Sequence, residues 1–278
     1  MKKLDLHSNY LGYGGASHIS TCISKIEKLN ISWCKIRASG IKSISDVISK
    51  LPEPMKKLDL HDNDLGDDGA SHISTCLSKI EELDISWCKI SASGIKSISD
   101  AISKLPEPMK KLDLHHNDFG DDGASHISTC LSKIEELIIG RCKISASGIK
   151  SISDAISKLP EPNSFLKAEL FKRFIDDILW LSYDEANIKN IENSSQIGFG
   201  QNRFDLRFQK IKMTMKKLDL DLNDLGDDGA FHIATCISKI EELYIGYYKI
   251  SASGIKSIFD AISKLPEPKP KVDGLKWL

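Results

Sequence analysis

The sequence predicts an α/β protein built as a stack of strand–loop–helix units, and three observations carry that prediction. First, one 54-residue paragraph is copied four times, over residues 1–54, 55–108, 109–162 and 215–268, each copy opening with "MKKLDL" and closing with "KLPEP". A fixed period of this kind dictates architecture before any local signal does. Second, each copy contains a finer, imperfect period: Met55, Leu58, Leu60 and Asn63 are echoed by Ile80, Leu83, Ile85 and Cys88, with steps of 25 and then 29 residues. Third, the apolar spacing switches within each unit from alternate positions to helical ones.

The elements follow in order. Leu58 and Leu60 are two apart, so on a strand their side chains share one face. Asn63 comes where the chain leaves the strand, and a buried amide or thiol there serves the backbone of the neighbouring coil. "LGDDGASHISTCLSK" then sets Ala70, Ile73 and Leu77 at helical spacing. In the longer half-unit Ile95, Ile98, Ile102 and Leu105 make the same stripe, with Pro106 and Pro108 stopping the helix. No unit can bury its apolar face alone, so neighbours must stack.

Both half-units obey L-x-x-L-x-L-x-x-N/C, and this pattern resembles the leucine-rich repeats of the ribonuclease-inhibitor type, also found in NOD-like receptors, which alternate an asparagine unit with a cysteine unit. The resemblance covers about four-fifths of the chain in eight units. It implies a leucine-rich repeat horseshoe solenoid, parallel strands concave and helices convex, whose work is non-enzymatic protein–protein interaction. One departure is Tyr248, too large for the inward pocket that cysteine fills elsewhere, so distortion of the last coil is expected.

With Leu58 and Leu60 inward, Lys57, Asp59 and His61 face the concave side and Asp62 its rim. Copies two and three differ at five positions: Asp62/His116, Leu65/Phe119, Asp84/Ile138, Ser86/Gly140 and Trp87/Arg141. Four of these belong to the predicted concave set, which is the pattern of a diversified binding surface. Trp33 and Trp87 hold equivalent rim positions, continued by Arg141 and Tyr247, and such side chains anchor protein interfaces. A second column runs Asp5, Asn30, Asp59, Asp84 and Asp113, and predicts a basic partner segment. Tyr244, His61, His115 and His116 complete the expected contact set. None of them is arranged as a hydrolytic triad.

Composition narrows the class. With 38 basic and 39 acidic residues, the chain has no global pull toward nucleic acid or an anionic membrane. The opening lysines have no apolar run behind them, and no apolar stretch approaches a membrane span. Six of the seven cysteines fall in two columns spaced by 54 residues, which reads as buried free thiols in a reducing, cytoplasmic compartment. No cofactor is expected. His18 and Cys22 sit one helical turn apart, but two ligands per coil leave a zinc site incomplete. "DNDLGDDG" lacks the closing glutamate of a calcium loop.

Residues 163–214 interrupt the repeat. Here "FKRFIDDILWLSYDE" resembles the catalytic motif of retroelement reverse transcriptases, where an aromatic, any residue and two aspartates (Phe174, Ile175, Asp176, Asp177) carry metal ions. The chemistry needs a third carboxylate on a folded palm, and leucine-rich coils stand where that palm belongs. Apolar residues from Leu166 to Leu179 recur at helical spacing, so an amphipathic helix followed by an irregular segment is expected, a relic within a non-catalytic protein. The alternatives are a reverse-transcriptase-derived nucleic-acid enzyme fragment and a truncated fragment without function. The fourth copy is expected to stack on the third, and residues 269–278 to form a tail. The chain opens inside a strand motif with no capping unit, which predicts that it is part of something longer.

Overall fold

The computed structural model describes residues 1–159, 215–220, 223–245, 252–264 and 271–273. The chain divides into two units, Met1–Leu159 with Met215–Leu278, and Pro160–Thr214. Every described residue belongs to the first. The helix expected around Leu166–Leu179, the Asp176-Asp177 pair and Tyr248 lie outside the described residues.

The elements alternate: β1 (Lys3–Asp5), α1 (Gly12–Ser20), β2 (Lys28–Asn30), α2 (Ala38–Ile48), β3 (Lys57–Asp59), α3 (Gly66–Ser74), β4 (Glu82–Asp84), α4 (Ala92–Ile102), β5 (Met109–Asp113), α5 (Gly120–Ser128), β6 (Ile134–Ile138), α6 (Ala146–Ser157), β7 (Met215–Asp219), α7 (Gly226–Cys236), β8 (Ile240–Tyr244), α8 (Ala252–Ser263) and β9 (Lys271–Asp273). The nine strands form one parallel sheet in strict sequence order. One apolar column defines the register: Leu4, Leu29, Leu58, Leu83, Leu112, Leu137, Leu218, Leu243 and Val272 are successive partners. From Leu29 to Leu243 each of these leucines is at most 2% exposed. Leu4 is only partly buried, because β1 has a neighbour on one side alone. The fourth copy stacks on the third as expected, Leu137 pairing with Leu218 across the interruption. β9 adds a strand beyond the eight units.

The helical layer closes the core. Ile95, Ile98 and Ile102 are fully buried and Leu105 nearly so. α4 ends at Ile102, one turn before Pro106, because Lys104 and Leu105 donate to the carbonyls of Ala101 and Ile102 (3.1 and 3.0 Å) and tighten the chain into a three-residue turn. The proline then prevents resumption.

Two sets of polar contacts tie coil to coil, the first of them buried. The Asn63 amide is 3% exposed. Its Oδ1 accepts from the backbone of Cys34 (3.2 Å) and Ile36 (2.9 Å), and its Nδ2 donates to Ile31 O (2.9 Å) and Leu60 O (2.7 Å). Asn117 and Asn223 repeat the arrangement. The expected backbone-serving amide is therefore present, and it satisfies groups that no strand ladder reaches. In the second set, Asp67 of α3 receives the Ser91 N–H (2.8 Å), the Ser91 hydroxyl (2.6 Å) and the Ser93 hydroxyl (2.6 Å) at the start of α4. Asp121 does the same for Ser145. One aspartate in each of these acidic loops is thus a cross-coil cap, and copy one, with Tyr13 and Arg37 at the two places, lacks both partners together.

Candidate interaction surface on the strand face

Side chains that flank the buried leucines emerge on the open face of the sheet, and the register places them in columns. Asp5, Asn30, Asp59, Asp84, Asp113, Ile138, Asp219 and Tyr244 form one. Two residues earlier in each strand, Glu82, Lys111, Glu136, Lys217 and Glu242 alternate in sign from β4 onward. Opposite charges on adjacent strands attract, so that column is internally balanced.

The aspartate column is not uniform. Lys3 and Lys57 lie 3.0 and 3.1 Å from Asp5 and Asp59. Lys111 stands off at 4.0 Å from Asp113, and the residue two before Asp84 is Glu82. Burial and then the adjacent Asp84 raise Asp113 to about 6. Negative character is thus concentrated at Asp84 and Asp113. Asp59, expected as a free contact carboxylate, has a side chain only 9% exposed, because Lys57 and His61 close over it.

That closure builds a relay to the rim. Asp59 Oδ1 and His61 Nδ1 are 2.9 Å apart, and the Trp33 indole N–H donates to His61 Nε2 at 2.9 Å. Since Nε2 accepts, the proton sits on Nδ1, and the imidazole is neutral. Trp33 keeps 55% of its surface in solvent although its N–H is held. Trp87 is anchored differently: the His116 ring lies flat on it, centroids 3.2 Å apart and planes 15° apart. Burial, with Arg141 adding to it, lowers the His116 pKa, so a neutral ring stacks there at pH 7. Arg141 is exposed and shares a shallow groove with His116, Lys143, Ser145 and Asp224. Tyr244 is half-buried beneath the Lys217 ammonium, 4.2 Å from the ring centroid. His115 lies beside His116, ring centroids 5.7 Å apart. Tyr247 lies outside the described residues.

Left-handed backbone recurs in the turns that follow the strands, at Ser8, Lys35, Lys89 and Lys143 as well as along the rim. Trp33, Trp87 and Arg141 have φ of 55°, 54° and 53°, and Asp62 and His116 have 52° and 60°. This left-handed region suits glycine, which the same coils use at Gly66 and Gly120. A bulky residue there is strained by roughly 1–2 kcal/mol.

The structure also reorganises the comparison of copies two and three. Ser86 donates both its N–H (3.0 Å) and its hydroxyl (2.6 Å) to Asp84 Oδ1, and Ser32 does the same to Asn30. Where Ile138 replaces the acceptor, Gly140 replaces the donor. Two of the five differences are therefore one structural change, and Leu65/Phe119 is a core exchange, each being at most 3% exposed. This pairing was readable as covariation between positions two apart among the copies. The Trp33–His61 contact was not, because its partners are 28 residues apart.

Leucine Rich repeat sequences match at residues 23–45, 53–74, 76–99, 107–128 and 212–234. The pig (Sus scrofa) ribonuclease inhibitor is 28% identical over 56% of this chain and 36% of its own length. The mouse (Mus musculus) ribonuclease inhibitor is 22% identical over 94% of the chain and 61% of its length. Human (Homo sapiens) NACHT, LRR and PYD domains-containing protein 13 is 24% identical over 48% of the chain and 13% of its length. The chain thus spans between about a third and three-fifths of the inhibitors it matches. Among the described residues no helix is long and apolar enough to cross a membrane. Parallel strands in one ladder, helices between them and the matched repeats together give this chain the leucine-rich repeat fold, with sequence similarity to ribonuclease inhibitors and to NACHT, LRR and PYD domains-containing proteins.

Proposed function

We propose that this chain is a non-enzymatic, cytoplasmic binding module that grips a protein partner through the strand face and its rim. The observation that carries the reading is the rim itself. A left-handed turn recurs in the coils, glycine would occupy it at least cost, and the sequence instead holds Trp33, Trp87 and Arg141 there with much of their surface in solvent. Strained backbone bearing exposed aromatic and guanidinium groups is characteristic of recognition surfaces. The relatives named as ribonuclease inhibitors act on a protein target, which supports the same reading. Asp84 and Asp113, where negative charge is least balanced, would meet a basic segment of that partner. Tyr244 and His115 belong to the same face in this reading. Residues 163–214 are an interruption of the binding body formed by residues 1–162 and 215–268, and not a catalytic domain.

The test is quantitative capture of partners by wild type and by the Trp33→Ala/Trp87→Ala/Arg141→Ala variant, with urea stability measured alongside. Capture is expected to fall at least tenfold at unchanged fold. Asp84→Asn and Asp113→Asn are expected to weaken binding and flatten its salt dependence. Equal capture by the triple variant would remove the rim from the proposal.

A further inference from the structure

We propose that Asp59, His61 and Asp84 form a binding site for one divalent transition-metal ion of the Zn²⁺ class, on the strand face between β3 and β4. The inference goes beyond the protein-binding reading and does not depend on it. One nitrogen of His61 and one oxygen of each carboxylate lie within 4.8 Å of one another. Ligands about 2.0–2.2 Å from a common ion stand no more than about 4.4 Å apart, so a small side-chain adjustment brings the three atoms to that spacing. One imidazole with two carboxylates suits zinc and its neighbours, whereas magnesium and calcium take oxygen ligands.

The surroundings favour a cation. Asp59 is held in place, since its Oδ2 meets Lys57 at 3.1 Å while Oδ1 faces His61 Nδ1 at 2.9 Å. Asp84 Oδ1 takes two bonds from Ser86, which fixes the carboxylate and leaves Oδ2 for the ion. Lys57 opposes the ion, so its removal should tighten binding.

The repeat supplies its own controls. Copy one keeps the Asp–x–His pair as Asp5 and His7, with Nδ1 again 2.9 Å from the carboxylate, but has Asn30 in place of the second carboxylate. Copy three keeps Asp113 and His115 and has Ile138 there. Among the described residues only the β3–β4 pair assembles all three ligands.

Coordination has a structural consequence at the rim. The ion takes the Nδ1 lone pair, and the proton now on Nδ1 moves through solvent to Nε2. Nε2 then cannot accept from Trp33, whose indole N–H is released. Metal binding and the Trp33 anchor are mutually exclusive.

The experiment is calorimetric titration of the intact protein with ZnCl₂ in a non-chelating buffer, with ¹⁵N NMR of the histidine side chains. Wild type is expected to bind one ion, to convert one histidine from the Nδ1–H to the Nε2–H tautomer, and to shift one indole N–H resonance. Asp84→Asn, which copies the natural Asn30 and retains the serine bonds, is expected to lose affinity by at least about tenfold. Lys57→Gln is expected to bind more tightly, and Asn30→Asp to gain a second site in copy one. Wild type without saturable binding overturns the proposal, as does an Asp84→Asn variant that binds like wild type. One site in Asn30→Asp, as in wild type, overturns the ligand assignment.

Discussion

Replacing Asn117 with alanine should destabilise the stack more than almost any other substitution of one small side chain. The amide is 1% exposed. Its oxygen accepts from the backbone of Cys88 (3.1 Å) and Ile90 (3.0 Å), and its nitrogen donates to Ile85 O and Leu114 O, both at 2.9 Å. Alanine leaves two N–H and two C=O groups without this partner between coils. An unsatisfied buried group costs about 1–3 kcal/mol, and water admitted to the vacated space recovers part of that, so the expected loss is about 3–5 kcal/mol. Asn117→Asp should not rescue it, because a carboxylate keeps the two accepted bonds but turns lone pairs toward two carbonyls.

Asn9 is the internal control. It occupies the same position in copy one, is exposed, and makes bonds only to Leu6 O (2.8 Å) and His7 O (3.3 Å). Asn9→Ala should cost below about 1 kcal/mol, the value of an ordinary exposed bond. Urea unfolding followed by circular dichroism measures both, with the denaturant slope checked because long repeat arrays can lose cooperativity. If the two substitutions cost the same, buried amides are not what ties these coils together.

Asp113 should make stability fall as pH rises. Its folded pKa of about 6 exceeds the ordinary aspartate value near 3.9, so the folded state binds the proton more tightly, and stability is lost as pH rises through about 4 to 6. Asp113→Asn removes that penalty and should gain about 1–3 kcal/mol over wild type at pH 8, shrinking toward zero at pH 4. A constant difference across that range would contradict the assignment. The thiols should react unevenly. Six of the seven cysteines are buried and Cys22 is not. Burial pushes Cys76 and Cys236 up to about 11 and Cys130 and Cys142 up to about 12. A disulfide-exchange reagent at pH 7.5 should therefore consume one thiol quickly in the native protein and all seven in urea. Rapid native reaction of Cys88 or Cys142 would mean that the coils open far more readily than this packing allows.

Sequence by itself determined what depends on neighbours in the chain. Alternate leucines choose a strand face, isoleucines at three and four choose a helix face, and the 54-residue period requires that every unit bury what the previous one leaves open. The role of Asn63 was legible for the same reason: a polar side chain at the exit of a buried strand must find backbone to satisfy. Tertiary structure alone decided which side chains meet between coils. Asp67 reaches Ser91, Trp33 reaches His61, and Lys57 with His61 covers Asp59. The first two contacts join residues 24 and 28 positions apart. Stacking register sets those distances to within hydrogen-bond reach, and no local pattern carries that information. The composition of the surface was written in the chain; which of its charges are spent on one another, and which are left for a partner or an ion, came from the way the coils lie together.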